Sequence, residues 1–357
     1  MRFSHLLLST ALGTLLVSPP PANRRSAPER IQVADGVYLF VTPPYGDVGL
    51  DGNSVVITSP DGALVFDTNG TPAASTAVLD AVRGLTDRPV RYIVNSHWHW
   101  DHWYGTETYT AAFPDARVVA HEKTRELMMG PALAFNAPGI ERDLPGYLRS
   151  LEQRAASAPD LQPLLEEDRF FLEQKRGVRH VFPTVTFSDR LTIDLGGRVV
   201  QVRHGDRAVT PGDAFLYLPK EKVVITGDLL VNPISFALSC YPTGWLRTLE
   251  QIDALDAQVI VPGHGKPLHD RQLLHATMEL FRALLREGRA AKDRGVPVDE
   301  ARPAILAAVQ TLKSAITGGD PKLSGAFDTQ LVDWYLHRVY EELDAPLPDA
   351  IAPIPRA

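Results

Sequence analysis

The sequence predicts an α/β protein built as a four-layer αββα sandwich: two sheets face to face, helices outside, a helical insertion and C-terminal helices. Two observations predict it. Short β-branched or aromatic runs, punctuated by Gly, Pro and Asp turn signals, fall into two blocks, and each block is followed by text with helical spacing.

In chain order, residues 36–41, 54–58 and 63–67 read as the strands of a meander. Residues 72–84 carry Ala, Val and Leu at helical spacing and 90–95 return to strand, so a helix crosses between strands. Residues 117–120 read as a further strand. The stretch 122–180 is charged and rich in Leu and Ala; it reads as helices broken at Pro131, Pro145, Pro159 and Pro163, forming a cap or insertion. The second block offers strands at 184–187, 191–195, 199–203, 214–218, 223–226 and 259–261. From 271 onward the pattern is helical. Leu274, Met278, Phe281 and Leu285 mark one apolar stripe, Ile305, Val309, Leu312 and Ile316 another, and a last helix is expected near 331–343; all read as core packing. The main domain is therefore placed at 31–270 and a helical extension at 271–357.

The first residues, Met1-Arg2-Phe3-Ser4-His5, precede an apolar run at 6–17 and a small-residue exit ending at Ala22. A basic start, a short apolar core and such an exit are the parts of a secretory signal peptide, so 1–22 is expected to be a leader, 23–30 a linker, and the protein periplasmic or secreted. No later stretch offers about 18 consecutive apolar residues, so no membrane span is expected. Across 357 residues, 36 basic against 43 acidic side chains give a net charge of -7, which leaves no electrostatic footprint for nucleic acid. Cys240 is the only cysteine, which excludes an intrachain disulfide and a thiolate zinc cluster; it reads as a small buried residue.

The chemistry is concentrated in His97-Trp98-His99-Trp100-Asp101-His102, directly after a strand. Alternate side chains of an extended chain share a face, so His97 and His99 can point at one ion. Asp101 and His102, just past the strand end, can turn toward a second. Imidazole and carboxylate donors suit zinc and other first-row divalent ions. The interleaved Trp98, Trp100, Trp103 and Tyr104 read either as walls of a pocket for an apolar acyl group or as packing beneath the loop.

This segment resembles the H-x-H-x-D-H signature of the metallo-β-lactamase superfamily, and further landmarks follow in the expected order. They are Thr210-Pro211-Gly212-Asp213 before the strand 214–218, Thr226-Gly227-Asp228 after the strand that starts at 223, and Pro262-Gly263-His264 after 259–261. The resemblance implies the superfamily's αββα sandwich, with His97 and His99 at a first metal site, Asp101, His102 and His264 at a second, and Asp228 bridging them. It also implies hydrolysis by a metal-activated water, with Asp101 as the proton shuttle. An aspartate at the bridge is similar to glyoxalase- and lactonase-like members rather than to the β-lactamases that carry cysteine there.

One landmark departs from the pattern: Val209 stands where the third histidine of the first site belongs, and an isopropyl group has no lone pair. His204 and Asp206 are the candidate substitutes. The expectation is one tightly held zinc and a second ion held weakly, with iron or manganese as other metals that fit the donors. Asp67 is a candidate to orient an imidazole, its other reading being turn chemistry in Asp67-Thr68-Asn69-Gly70. His121, His180, His269, His275 and His337 fall outside the matched motifs. The functional expectation is an exported metal-dependent hydrolase of an ester, thioester, lactone or related acyl bond in a small molecule. The alternative is a metal-poor binding protein on the same fold, and a true β-lactamase is less favoured.

Overall fold

The computed structural model describes residues 27–46 and 50–351; the expected leader, and the expected linker up to residue 26, lie outside the described residues. The expected linker ends early, because strand β1 (Glu29–Ala34) begins inside it and pairs with β2 (Val37–Val41). β3 (Ser54–Ser59) and β4 (Gly62–Phe66) continue the antiparallel meander. Helix α1 (Pro72–Arg83) then carries the chain across to β5 (Val90–Val94), which pairs parallel with β4. Thr71 caps α1, its side chain accepting from the Ala74 amide, and Pro72 at the first position costs no hydrogen bond.

After β5 come the short helices α2 (Trp100–Trp103) and α3 (Thr106–Ala112), then β6 (Arg117–His121), parallel to β5. The insertion follows as α4 (Glu122–Met128), α5 (Pro131–Pro138), α6 (Leu144–Ala155) and α7 (Gln162–Arg176), and β7 (Val185–Phe187) closes a sheet in the order β1 to β7. Pro131, Pro145 and Pro163 open helices rather than interrupt them, which is where a missing amide is harmless.

The second sheet is built from β8 (Arg190–Leu195), β9 (Arg198–His204), β10 (Ala214–Leu218) and β11 (Val223–Ile225), all antiparallel. Helix α8 (Pro242–Asp253) crosses over to β12 (Val259–Val261), which lies parallel to β11. The two sheets meet through one apolar layer in which Leu39, Val55 and Phe66 face Val202, Leu216 and Ile225. The outer face of the first sheet packs Val56, Val65 and Ile93 against Val78 and Val82 of α1 and Tyr109 of α3. The layers are therefore α, β, β, α, as the sequence predicts.

The C-terminal helices are α9 (Gln272–Asp293), α10 (Val298–Ala308), α11 (Gln310–Thr317), α12 (Pro321–Ala326) and α13 (Trp334–Asp344). They are not an appendage to a finished domain. Phe281, Leu284, Tyr335 and Leu336 share one core cluster with Trp245 of α8 and with Phe215 and Val224 of the second sheet, so these helices form the fourth layer itself. Parallel pairs need crossovers, and both sheets place theirs so that the carboxyl ends of β4, β5, β11 and β12 open at one edge of the sandwich. In open α/β sheets that is where ligands bind.

Candidate metal centre

Four loops leave those strand ends and build the site: Asp67 after β4 supports it from behind, and residues 95–102 after β5, Thr226 to Asp228 after β11, and Pro262 to His264 after β12 supply the donors. Backbone bonds hold the two sheets in register at this edge. Ala214 N donates to the Ser96 carbonyl at 2.8 Å and Asn53 N to the Gly263 carbonyl at 2.7 Å, while the Asn53 amide donates to the carbonyls of Pro262 and Gly265. His97 is fully buried at the strand exit, and Asp101 and His102 follow on α2.

The structure brings all six sequence-predicted donors together. His102 Nε2 lies 3.3 Å from Asp101 Oδ2 and 3.2 Å from Asp228 Oδ1, and His264 Nε2 lies 3.1 and 3.5 Å from the same two oxygens. Donors at 2.0–2.1 Å on the corners of a tetrahedron are about 3.3–3.4 Å apart, so these spacings suit a zinc-sized ion. Among the described residues, Asp101, His102 and His264 form one group able to hold a metal, and His97, His102 and Asp228 another. On the other side of Asp228, Oδ2 is 3.6 Å from His97 Nε2 and 3.9 Å from His99 Nδ1, a looser arrangement. Asp228 thus offers one oxygen to each half.

Three observations say that the donors fit a cation. His97 Nε2, His102 Nε2 and Asp228 Oδ1 are buried and lack hydrogen-bond partners, which is costly for polar atoms unless something charged meets them. A Cβ on Gly52 would come within 2.6 Å of the His102 ring, so the chain keeps glycine where it presses on that ligand. The electrostatics point the same way. Burial pushes Asp228 and Asp101 up, but His102 and His264 outweigh it and hold both carboxyls well below the usual range. Burial works against a proton on His102, yet Asp228, Asp101 and Asp67 raise it well above the ordinary imidazole value. A field that draws protons onto these rings is a field that draws a divalent ion.

Behind the donors, Asp67 accepts from His102 Nδ1 at 2.8 Å, from Ser96 N at 2.7 Å and from Ser96 Oγ at 2.7 Å. Because Ser96 spends its only hydroxyl proton on Asp67, its oxygen accepts from His97 Nδ1 at 2.8 Å. One buried carboxylate therefore sets both tautomers and leaves the Nε2 lone pairs facing the donor cluster. Asp67 takes both readings the sequence allowed, since its backbone turns at φ 58°.

Among the described residues the first half-site gains no donor beyond His97, His99 and Asp228. Val209 is 1 % exposed and belongs to the apolar cluster containing Leu229 and Trp245. The expectation that His204 substitutes is corrected: its Nδ1 donates to the Asp213 carbonyl at 2.8 Å and its ring stacks on His121 at 4.2 Å. Asp206 is likewise engaged, accepting from its neighbour's amide and pairing with Arg247 at 2.8 Å. Among the described residues, His121, His180, His269, His275 and His337 also stay outside both donor groups. Cys240 is buried, and burial pushes its thiol far up, as a structural residue requires.

A cavity of about 290 Å³ opens onto Asp101, Asp228, His99 and His264. Trp98 and Trp100 line it, the first of the two readings the sequence allowed, whereas Tyr104 does not; it lies beside Trp100, its hydroxyl accepting from Asn136 at 3.4 Å. Sequence reasoning missed Phe135 from the insertion, whose ring meets Trp98 at 5.9 Å, and Ile234, Phe236 and Leu238 from the loop after β11, which complete the lining. It also missed Lys175 of α7, whose signal was legible: Leu165, Asp168, Leu172 and Lys175 share the buried face at helical spacing.

Comparison with known proteins agrees with this geometry. The sequence profile of the metallo-beta-lactamase superfamily matches residues 47–264. A linear primary-alkylsulfatase from a Pseudomonas species is 26% identical over 244 residues, which is 64% of this chain but 44% of that protein, so the chain spans less than half the length of this curated relative. Among solved structures, a metallo-beta-lactamase from Pontibacter korlensis superposes with a TM-score of 0.52 at 19% identity, covering 71% of this chain and 99% of the other. A double mutant of the sec-alkyl sulfatase PisA1 gives 0.60 at 15% identity, over 88% of this chain and 50% of that one. At those identities the two structures show the fold alone.

Proposed function

This chain belongs to the metallo-beta-lactamase superfamily of hydrolases, and from that premise we propose that it is a metal-dependent esterase-type hydrolase of small molecules with an apolar organic group. The carrying observation is that a largely apolar cavity opens directly onto the donors Asp101, Asp228, His264 and His99, with His102 within 3.3 Å of the first two behind them. The relative's name, an alkylsulfatase, supports ester bonds as the class. We place one ion at the four-donor half, on the argument that Val209, His204 and Asp206 leave the other half short of a ligand, and we take zinc as the metal that fits best, ahead of iron or manganese. The leader-like residues 1–22 support export to the periplasm or beyond.

A divalent ion held there would supply a Lewis acid and would bring the pKa of a water it binds down to about 7. The protein's own contribution follows from the contacts. Asp67, acting directly and through Ser96, keeps His102 and His97 in the tautomer that presents Nε2 inward. Asp101, held ionised beside His102 and His264, enters as a proton acceptor and hands that proton on to the leaving oxygen. Trp98, Trp100, Phe135 and Phe236 take up the organic group and exclude bulk water, which strengthens every polar interaction inside.

The test is turnover of an ester panel by purified protein before and after chelation and re-addition of zinc, manganese or iron. Hydrolysis that disappears with chelator and returns with one metal supports the reading. If His102→Ala and Asp228→Ala turn over every ester as the parent does, the donors have no catalytic role and a binding function on this fold takes its place.

A further inference from the structure

Among the described residues four strands end the two sheets: β1 and β7 in the first, β12 and β8 in the second. An open strand edge is a template for another chain, and proteins blunt it with bulges, short strands or cover. Three of these edges are blunted. The register of β1 slips between Gln32 and Ala34, and β7 is three residues long. β12, also three residues, is met on its open side by Leu268, which exchanges backbone bonds with Ile260 at 2.8 and 3.0 Å. β8 is different: it runs for six residues, pairs with β9 without a slip from Arg190 to Leu195, and carries neither proline nor lysine.

The phase of the ladder decides which backbone groups face the open side. His204 N donates to the Asp189 carbonyl at 2.9 Å, so these two residues open the ladder as a bonded pair. Bonded and non-bonded pairs alternate along antiparallel strands. Leu191, Ile193 and Leu195 therefore turn their amides and carbonyls to β9, and Arg190, Thr192 and Asp194 turn theirs to the open edge. The same three residues are exposed, whereas Ile193 and Leu195 are buried between the sheets.

This edge is complementary to itself. Laid antiparallel on a second copy about a two-fold axis at Thr192, Thr192 meets Thr192, and Arg190 and Asp194 of each chain meet Asp194 and Arg190 of the other. Each of these pairs is of the bonded kind and exchanges two backbone hydrogen bonds. On the inner face Leu191 meets Ile193. Arg190 also stands opposite Arg203 of β9, a like-charged pair that a carboxylate from the second copy relieves. Asp194 accepts from the Gly197 amide at 2.7 Å through Oδ1, and Oδ2 is the oxygen that meets the arginine.

We propose that the β8 edge is a dimer interface: two copies of this chain pair β8 with β8, antiparallel about Thr192, and join their second sheets into one continuous sheet. The contact is small, so the dimer is reversible, with a dissociation constant of about 1–100 µM. Its exposed Arg190 and Asp194 contacts weaken as salt rises.

Sedimentation equilibrium of the full chain over a concentration series tests this, and a monomer–dimer equilibrium is the expected result. Thr192→Pro removes an amide that faces outward and no bond to β9. This variant is expected to stay monomeric and to keep its melting temperature within about 5 °C of the parent. Arg190→Glu sets like charges face to face and is expected to raise the dissociation constant about tenfold or more, while Arg190→Lys stays within about threefold. A parent chain that is monomeric at about 0.2 mM overturns the proposal and leaves the edge to a strand of another protein. A Thr192→Pro variant that dimerises as the parent does also overturns it, placing the interface elsewhere. Should Thr192→Pro fail to fold, the Arg190 variants decide alone, and equal constants for Arg190→Glu and the parent overturn the proposal.

Discussion

His102 Nδ1 donates to the buried carboxylate of Asp67 at 2.8 Å, and this single bond fixes which nitrogen of the ring faces the donor cluster. Asp67→Asn keeps the shape but offers an amide where two donors need an acceptor. Zinc affinity, measured by competition with a chromophoric chelator, is expected to fall about 10- to 100-fold, the range typical of groups that orient a ligand. Ser96→Ala releases only His97 and is expected to cost less. Equal affinities for Asp67→Asn and the parent protein contradict the tautomer argument.

On the proposed one-ion reading, Val209 is the residue that limits the count. Val209→His is expected to raise the zinc content from one to two per chain, read by elemental analysis after dialysis. A count that stays at one shows that the conformation of the loop, rather than its side chain, keeps the first half-site incomplete.

The buried amine of Lys175 is expected to be dispensable for stability. Lys175→Met fills the same space without a polar head, and replacing a buried group that lacks hydrogen bonds by an apolar one of similar size is neutral or stabilising. The melting temperature is expected to hold or rise. A fall of more than about 5 °C shows that the contacts with the Trp100 and Tyr104 rings outweigh the burial of the amine.

Acid sensitivity is expected to involve His121 at the start of α4. Burial, with His204 stacked on it, lowers its pKa to about 4. The unfolded chain titrates near the ordinary value of about 6.5, so on acidification it takes up this proton first. The stabilisation is fully present above pH 6.5 and is lost as the pH falls toward 4. His121→Asn can still cap the Lys123 amide, so melting curves between pH 7 and 4 are expected to fall less steeply for this variant. Identical slopes place the acid sensitivity elsewhere.

What the sequence made legible follows the range of the interactions. β10 and β12 have the bounds their β-branched and aromatic runs predict, and His97 to His102 declare themselves because six adjacent residues carry the pattern. Asp228 and His264 were found through the family resemblance, whose landmarks place each shortly after a readable strand. Phe135 and Phe236 had no such signal: an apolar residue on an insertion or a loop looks the same whether it faces a core or a cavity, and only the fold brings the two to the same cavity. His204 failed for a related reason. Closeness in sequence to Val209 suggested a substitute, but its ring belongs to a stack with His121 that no local pattern announces.

The most direct measurement is a zinc titration of the metal-free full chain, with ester hydrolysis followed at each addition. The account predicts that activity rises in proportion to the first equivalent of zinc, then levels off. Hydrolysis by the metal-free protein at the fully loaded rate, or a chain that binds no zinc at all, contradicts it.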